Sequence, residues 1–243
     1  MRSKLLYYFQ IVIILFCGCD SVGDCFEGAG DEKKDIRNPG NFSTIILEDD
    51  IHATLYQHNA CSIEIHAGEN LMDEIESTTF NNTLHLANHN VCKWARSYEY
   101  EINASIYYQH VSQMVYKGSG RVRSVDTVDA NIFEIIVQGG NGDIQLEMNN
   151  HHLKINGKSG SGDVILTGQT DTLTINIAHA GLFDLSGLQA GIVNIRHAGT
   201  NNAFVYATRE LHAHVSYVGN IYCKGDPAVI HYKNTGKGKL LNY

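Results

Sequence analysis

Residues 153–168, LKINGKSGSGDVILTG, decide the fold. Leu153 and Ile155 alternate with polar neighbours, Gly160-Ser161-Gly162-Asp163 interrupts them, and Val164 and Leu166 resume the alternation. Period two on both sides of a glycine-rich turn is a strand–turn–strand unit. Its relatives are Gly118-Ser119-Gly120, Gly140-Asn141-Gly142-Asp143, His179-Ala180-Gly181, His197-Ala198-Gly199, Tyr217-Val218-Gly219-Asn220 and Gly236-Lys237-Gly238. The last glycines of the seven units lie 22, 20, 19, 18, 20 and 19 residues apart. A period near twenty with this content is the signature of a solenoid, in which each repeat buries its apolar face only by stacking on its neighbours. The expected architecture is an all-β, single-domain, right-handed β-solenoid with coils of about twenty residues.

Glycine at each corner follows from stacking. Every corner must turn directly above the previous one, and glycine supplies positive φ or close backbone approach without a Cβ. The fifth unit has a second register, in which Gly199-Thr200-Asn201-Asn202 matches Gly-x-Gly-Asp with Asn201 left-handed, and that register moves the corner by two residues. After the corners, Ile144/Leu146, Val164/Leu166, Phe183/Leu185 and Ile221/Cys223 point inward; before them, Leu153/Ile155, Leu173/Ile175/Ile177, Val193/Ile195 and Leu211/Ala213/Val215 do the same. Upstream, Phe42, Thr44, Ile46, Ile51, Ala53, Leu55, Ile63 and Ile65 keep period two, and Asn70 is placed to cap a short helical turn carrying Leu71 and Ile75.

The N-terminus carries an address. Arg2 and Lys4 precede an apolar stretch, residues 5–16, too short to span a bilayer comfortably, so residues 1–18 read as an export signal. Gly18-Cys19 resembles the bacterial lipobox, which makes Cys19 the lipidation site; plain secretion and an uncleaved anchor are the alternatives. Residues 19–40, polar and ending in Pro39-Gly40, read as a tether, and residues 41–243 as the domain, with glycine-rich repeats from about residue 111. A formal net charge of −8 and no Lys/Arg run outside the leader argue against nucleic acid as a partner. The partners expected are a membrane, through the N-terminal lipid, and a protein or glycan.

Export opens the cysteines to disulfide pairing. Beyond Cys19, the four thiols Cys25, Cys61, Cys92 and Cys223 allow three pairings; Cys25–Cys92 would tie the tether to the domain, and Cys223 fits a buried free thiol.

Several segments in this order, Phe42-Ser43-Thr44-Ile45, Ala67-Gly68-Glu69-Asn70-Leu71, Cys92-Lys93-Trp94-Ala95-Arg96-Ser97-Tyr98, Gly118-Ser119-Gly120, Arg196-His197-Ala198-Gly199-Thr200-Asn201, and Gly219-Asn220-Ile221-Tyr222 before Gly225-Asp226-Pro227, carry a resemblance. From about Phe42 onward the chain resembles the "putative autotransporter adhesin, head GIN domain" family of bacterial envelope lipoproteins. The resemblance implies a β-solenoid in the cell envelope, anchored by lipid to a membrane, the outer one by preference, with the domain in the periplasm or at the cell surface.

Chemistry is sparse. In the glycine register, His179 and His197 fall on adjacent corners, where stacked imidazoles could share a metal; a plain corner ladder is the simpler reading, and neither a metal site nor a cofactor is assigned. Asp143 and Asp163 suit turn N–H groups better than catalysis. No Gly-x-Ser-x-Gly, His-Glu-x-x-His or phosphate loop occurs, so no catalytic residue is assigned. Trp94, Arg96 and Tyr98, near Tyr107 and Tyr108, form the aromatic-rich candidate contact surface. The expectation is a non-catalytic, adhesin-like interaction module; the alternative is a polysaccharide-active or carbohydrate-binding β-helix protein.

Overall fold

A computed structural model describes residues 28–91 and 101–243. Seventeen strands form one continuous hydrogen-bonded system: β1 (Glu32–Arg37), β2 (Thr44–Asp49), β3 (Ile51–Gln57), β4 (Ser62–Gly68), β5 (Ile75–Phe80), β6 (Thr83–Asn88), β7 (Ile102–Tyr108), β8 (Gln113–Gly118), β9 (Val122–Ser124), β10 (Val128–Gln138), β11 (Ile144–Ser159), β12 (Val164–Ile177), β13 (Phe183–His197), β14 (Ala203–Val215), β15 (Ile221–Lys224), β16 (Val229–Asn234) and β17 (Leu240–Asn242). Parallel pairing of β8 with β10, β10 with β11, and onward through β14 to β16 builds one face of a solenoid. The second face runs from β9 through the first halves of β11 to β14, then β15 and β17. The fold is therefore the expected all-β solenoid, with coils about twenty residues apart.

The alternation predicted from sequence places the core in the repeats, but in β2 the inward residues are Ile45 and Leu47, not Thr44 and Ile46, because the strand enters its coil one residue out of the expected phase. One inward column runs through Leu84, Ile45, Met114, Ile135, Ile155, Ile175, Ile195 and Ala213, each buried and each on the next coil. Burying each large aliphatic side chain stabilises by about 1.5–3 kcal/mol, so the stacked columns supply the driving force that no single coil has.

Asp143 and Asp163 do accept turn N–H groups. The Asp143 carboxylate takes the Asp163 N–H (3.0 Å), and Asp163 takes that of Leu182 (2.8 Å). Asn202 and Asn220 repeat the device, accepting from Asn220 (3.2 Å) and Lys239 (2.9 Å). These side chains stitch each coil to the next where the ladder is interrupted by the corner.

The N-terminal end departs from simple succession. Strands β2 and β3 form the second coil, not the first: β2 lies between β6 and β8, and β3 between β7 and β9. The chain leaves that coil to build an antiparallel cap, with β4 on β7 and β5 on β6, before returning to fill the first coil. Between β4 and β5 a 3₁₀ turn, Glu69–Glu74, buries Leu71 and Met72 over the open end. Asn70 does not cap this turn; its side-chain amide donates to the Gly28 carbonyl (3.0 Å).

The inner end of the expected tether is folded. β1 pairs antiparallel with β4 from Glu32↔Gly68 to Arg37↔Ile63, adding the last strand of the cap. Its side chains are mostly exposed, which is why it lacks apolar periodicity. Arg37 secures it, donating to the carbonyls of Ile75 and Met72, to Ser77 Oγ (3.0 Å) and to Asp35 (2.7 Å).

Candidate functional site

The two histidines at the corners do not stack. His197 pairs in register with Ile177 below and Val215 above, whereas His179 lies two residues before its corner glycine, a position occupied by Gly199 on the next coil. The corner column runs Gly120, Gly142, Gly162, Gly181, Asn201, Gly219 and Gly238, so the alternative register of the fifth unit is the one adopted. Coil length is the reason: 20 residues separate Gly181 from Asn201 and 18 separate Asn201 from Gly219, which glycine counting misassigns. Asn201 is not left-handed, since the only non-glycine residues with positive φ among those described are Asp49, Asn81 and Asn82.

Each imidazole instead serves its own corner. Nδ1 of His179 accepts the Gly181 N–H (2.9 Å), and its ring meets Phe183 edge-on at 5.5 Å. Nδ1 of His197 accepts from Gly199 (3.4 Å) while Nε2–H donates to the Asn201 carbonyl (2.8 Å). Both rings are buried, and desolvation holds both below the ordinary histidine value. No cluster of three or more metal-ligating side chains occurs among the described residues.

Cys19, the candidate disulfide partners Cys25 and Cys92, and the candidate contact residues Trp94, Arg96 and Tyr98 lie outside the described residues. Of their neighbours, Tyr107 faces outward and stacks on Tyr56 at 4.8 Å, while Tyr108 is buried and its hydroxyl is pushed up to about 12 by desolvation. Cys223 is a buried free thiol and Cys61 is also free.

A polar groove of about 800 Å³ follows the second bend of the coil, where β11, β12, β13 and β14 turn from one face to the other. Register places Asp129, Asn149, Gln169 and Gln189 on four successive coils along it. Asn149 donates to Asp129 (3.2 Å), and Gln169 donates to Asn149 (3.0 Å), so the amides form a ladder with one free edge. On the groove's other side His151 Nδ1 lies 2.6 Å from Asp171, and that imidazole, with Arg209 adding attraction, holds the Asp171 carboxyl below its ordinary value. Buried Asn150 anchors the floor through the Ala130 carbonyl (2.8 Å). The sequence by itself points to no function here. The available signal was the recurrence of amides at 149, 169 and 189, a strict twenty-residue interval in mid-strand, where polar residues are otherwise read as solvent-facing alternation.

A second feature missed from sequence is an outward aromatic column near the C-terminal end. Phe204 stacks on Tyr222 at 4.8 Å, Tyr243 meets Phe204 edge-on at 5.2 Å, and the Lys224 ammonium sits 4.9 Å from the Tyr206 ring.

A family model described as "Putative auto-transporter adhesin, head GIN domain" matches residues 41–227. A solved structure from Bacteroides fragilis described as a "putative adhesin" is similar at 21% identity, covering 88% of this chain and 97% of that one with a TM-score of 0.76. Two from Parabacteroides distasonis follow: a "putative lipid binding protein" at 20% identity, 88% and 98% coverage and TM-score 0.67, and a "putative adhesin" at 19%, 89% and 98% and TM-score 0.66. A search of the curated proteins finds no match. At these identities the structural likenesses bear on the fold alone, and no helix of the described residues is long and apolar enough to cross a membrane. The family model spans most of the domain, and the chain belongs to the putative auto-transporter adhesin, head GIN domain family.

Proposed function

We propose that the protein is a non-catalytic, adhesin-like contact module of the bacterial cell envelope, lipid-anchored through Cys19, whose polar groove takes a hydroxyl-rich ligand of the saccharide type. The observation that carries this reading is the amide ladder of Asn149 and Gln169 beside His151, Asp171 and Arg209. Amides and an ionised carboxylate offer paired donors and acceptors at fixed spacing, which suits hydroxyl groups and gives an acyl chain nothing to bury against.

The same chemistry weighs against the polysaccharide-cleaving alternative. Glycoside hydrolysis needs a carboxylic acid with a raised pKa paired to a second carboxyl group. Asp171 is shifted the other way by His151, and Asp129 sits two coils from it, roughly 10 Å along the stack. Binding without turnover is the role such a site can perform.

The test is a glycan array probed with the purified protein and with Gln169→Ala, together with membrane fractionation of cells expressing Cys19→Ser. The expected result is array binding lost on Gln169→Ala without release of reducing ends, and transfer of the Cys19→Ser protein to the soluble fraction. Array signal unchanged by the groove substitution sinks the groove, and membrane retention of Cys19→Ser sinks the anchor.

A further inference from the structure

A second surface, sharing no residue with the groove, gathers cations without carboxylates. On the face that precedes each corner, register places Asn156, Asn176, Arg196, His214 and Lys233 in one outward column on successive coils. The adjacent column carries Thr174, Asn194, His212 and His231. Between the columns lies a concavity of about 450 Å³ whose lining contains no aspartate or glutamate. His212 and His231 stack face to face, 4.9 Å apart and 16° from parallel, and His214 Nε2 lies 3.0 Å from Thr235 Oγ1. Acids stand only at its rims: Glu210 lies 3.3 Å from His212 Nε2, and Glu134 accepts from the Asn156 amide (2.8 Å).

Some described lysines on this scaffold are tied to carboxylates: Lys154–Glu134 (2.8 Å), Lys117–Glu48 (2.7 Å) and Lys34–Glu64 (2.7 Å). Arg196 and Lys233 have no such partner among the described residues, although the chain has 26 acidic side chains against 18 basic ones. His214 lies between them in the column, so the two like charges stand two coils apart, about 10 Å, a spacing that one extended anionic partner spans. The remaining groups narrow the partner's chemistry. Asn176, Asn194 and Thr174 interleave amides and a hydroxyl with the cations, which suits a ligand alternating charge with hydroxyls.

We propose that this face binds an acidic polysaccharide. Its carboxylate groups pair with Arg196 and Lys233, and its hydroxyls bond to Asn176 and Asn194.

The test is calorimetric titration of the purified protein at low ionic strength with oligogalacturonate, with maltohexaose, hexaglutamate and vesicles of phosphatidylglycerol and phosphatidylcholine as comparators. Oligogalacturonate is expected to bind most tightly, and Arg196→Gln/Lys233→Gln to weaken it by about tenfold or more. The charge-retaining Arg196→Lys/Lys233→Arg pair should bind as the native chain does, which separates lost charge from lost fold. Gln169→Ala, in the groove, should leave this affinity unchanged, so the two sites fail independently. No binding of oligogalacturonate, equal binding by the Gln pair, or equally tight binding of hexaglutamate or vesicles would overturn the proposal.

Discussion

A methyl group on Gly162 would sit 2.0 Å from the carbonyl oxygen of Gly142, well inside contact distance, and Gly142 and Gly181 are in the same position over the corners beneath them. Gly160, with φ of +114°, is the residue that instead needs the left-handed region. The glycine-rich motif is thus fixed by stacking, and Gly162→Ala should destabilise the protein by about 3 kcal/mol or more, seen as a lowered urea midpoint. The buried histidines set a pH dependence. Burial lowers both from the ordinary 6.5, so the unfolded chain binds protons first as pH falls. Their contribution is fully present above pH 6.5 and is lost as pH drops through the depressed folded values. Unfolding midpoints measured from pH 7.5 to 5 should therefore fall, and His179→Gln/His197→Gln should flatten that slope even if it lowers the midpoint overall.

Among the elements, the cap is the part built from the fewest repeated features. β1 contributes almost no buried side chain, so its attachment rests on its ladder with β4 and on Arg37, whose guanidinium reaches two carbonyls of the 3₁₀ turn region and Ser77. Arg37→Ala leaves those buried-side acceptors without a charged donor and should cost about 1.5–3 kcal/mol, with limited proteolysis becoming faster between β1 and β5 than in the repeats. The elements from β8 onward were legible in the sequence because alternation and corner spacing are local properties. Insertion of β2 and β3 beneath β8 and β9 was not, since it depends on which non-adjacent strands share a rung. β1 reads as tether in the sequence because a strand exposed on both faces has no period to find.

At the scale of the whole molecule, one solenoid presents three outward surfaces of different chemistry: the polar groove, the cationic face and the aromatic column. All three arise because stacking brings residues about twenty apart in sequence into contact, as with Asn149 and Gln169 or Arg196 and His214. The fold was readable from its corners, yet the candidate site was not, because its residues occupy ordinary outward positions and gain meaning only in register. The reverse holds for His179 and His197, which look chemical in sequence and prove to hold the backbone of their own corners, each through an Nδ1 that accepts an N–H group. On the proposed function, the contact chemistry sits in the amide groove and not at the glycine corners. That placement is tested most directly by following side-chain amide NMR signals while a neutral oligosaccharide selected on the glycan array is titrated in. The account predicts saturable shifts of the Asn149 and Gln169 side-chain amides with the backbone signals of Gly160 and Gly162 unmoved; shifts centred on those corners, with the groove amides silent, would contradict it.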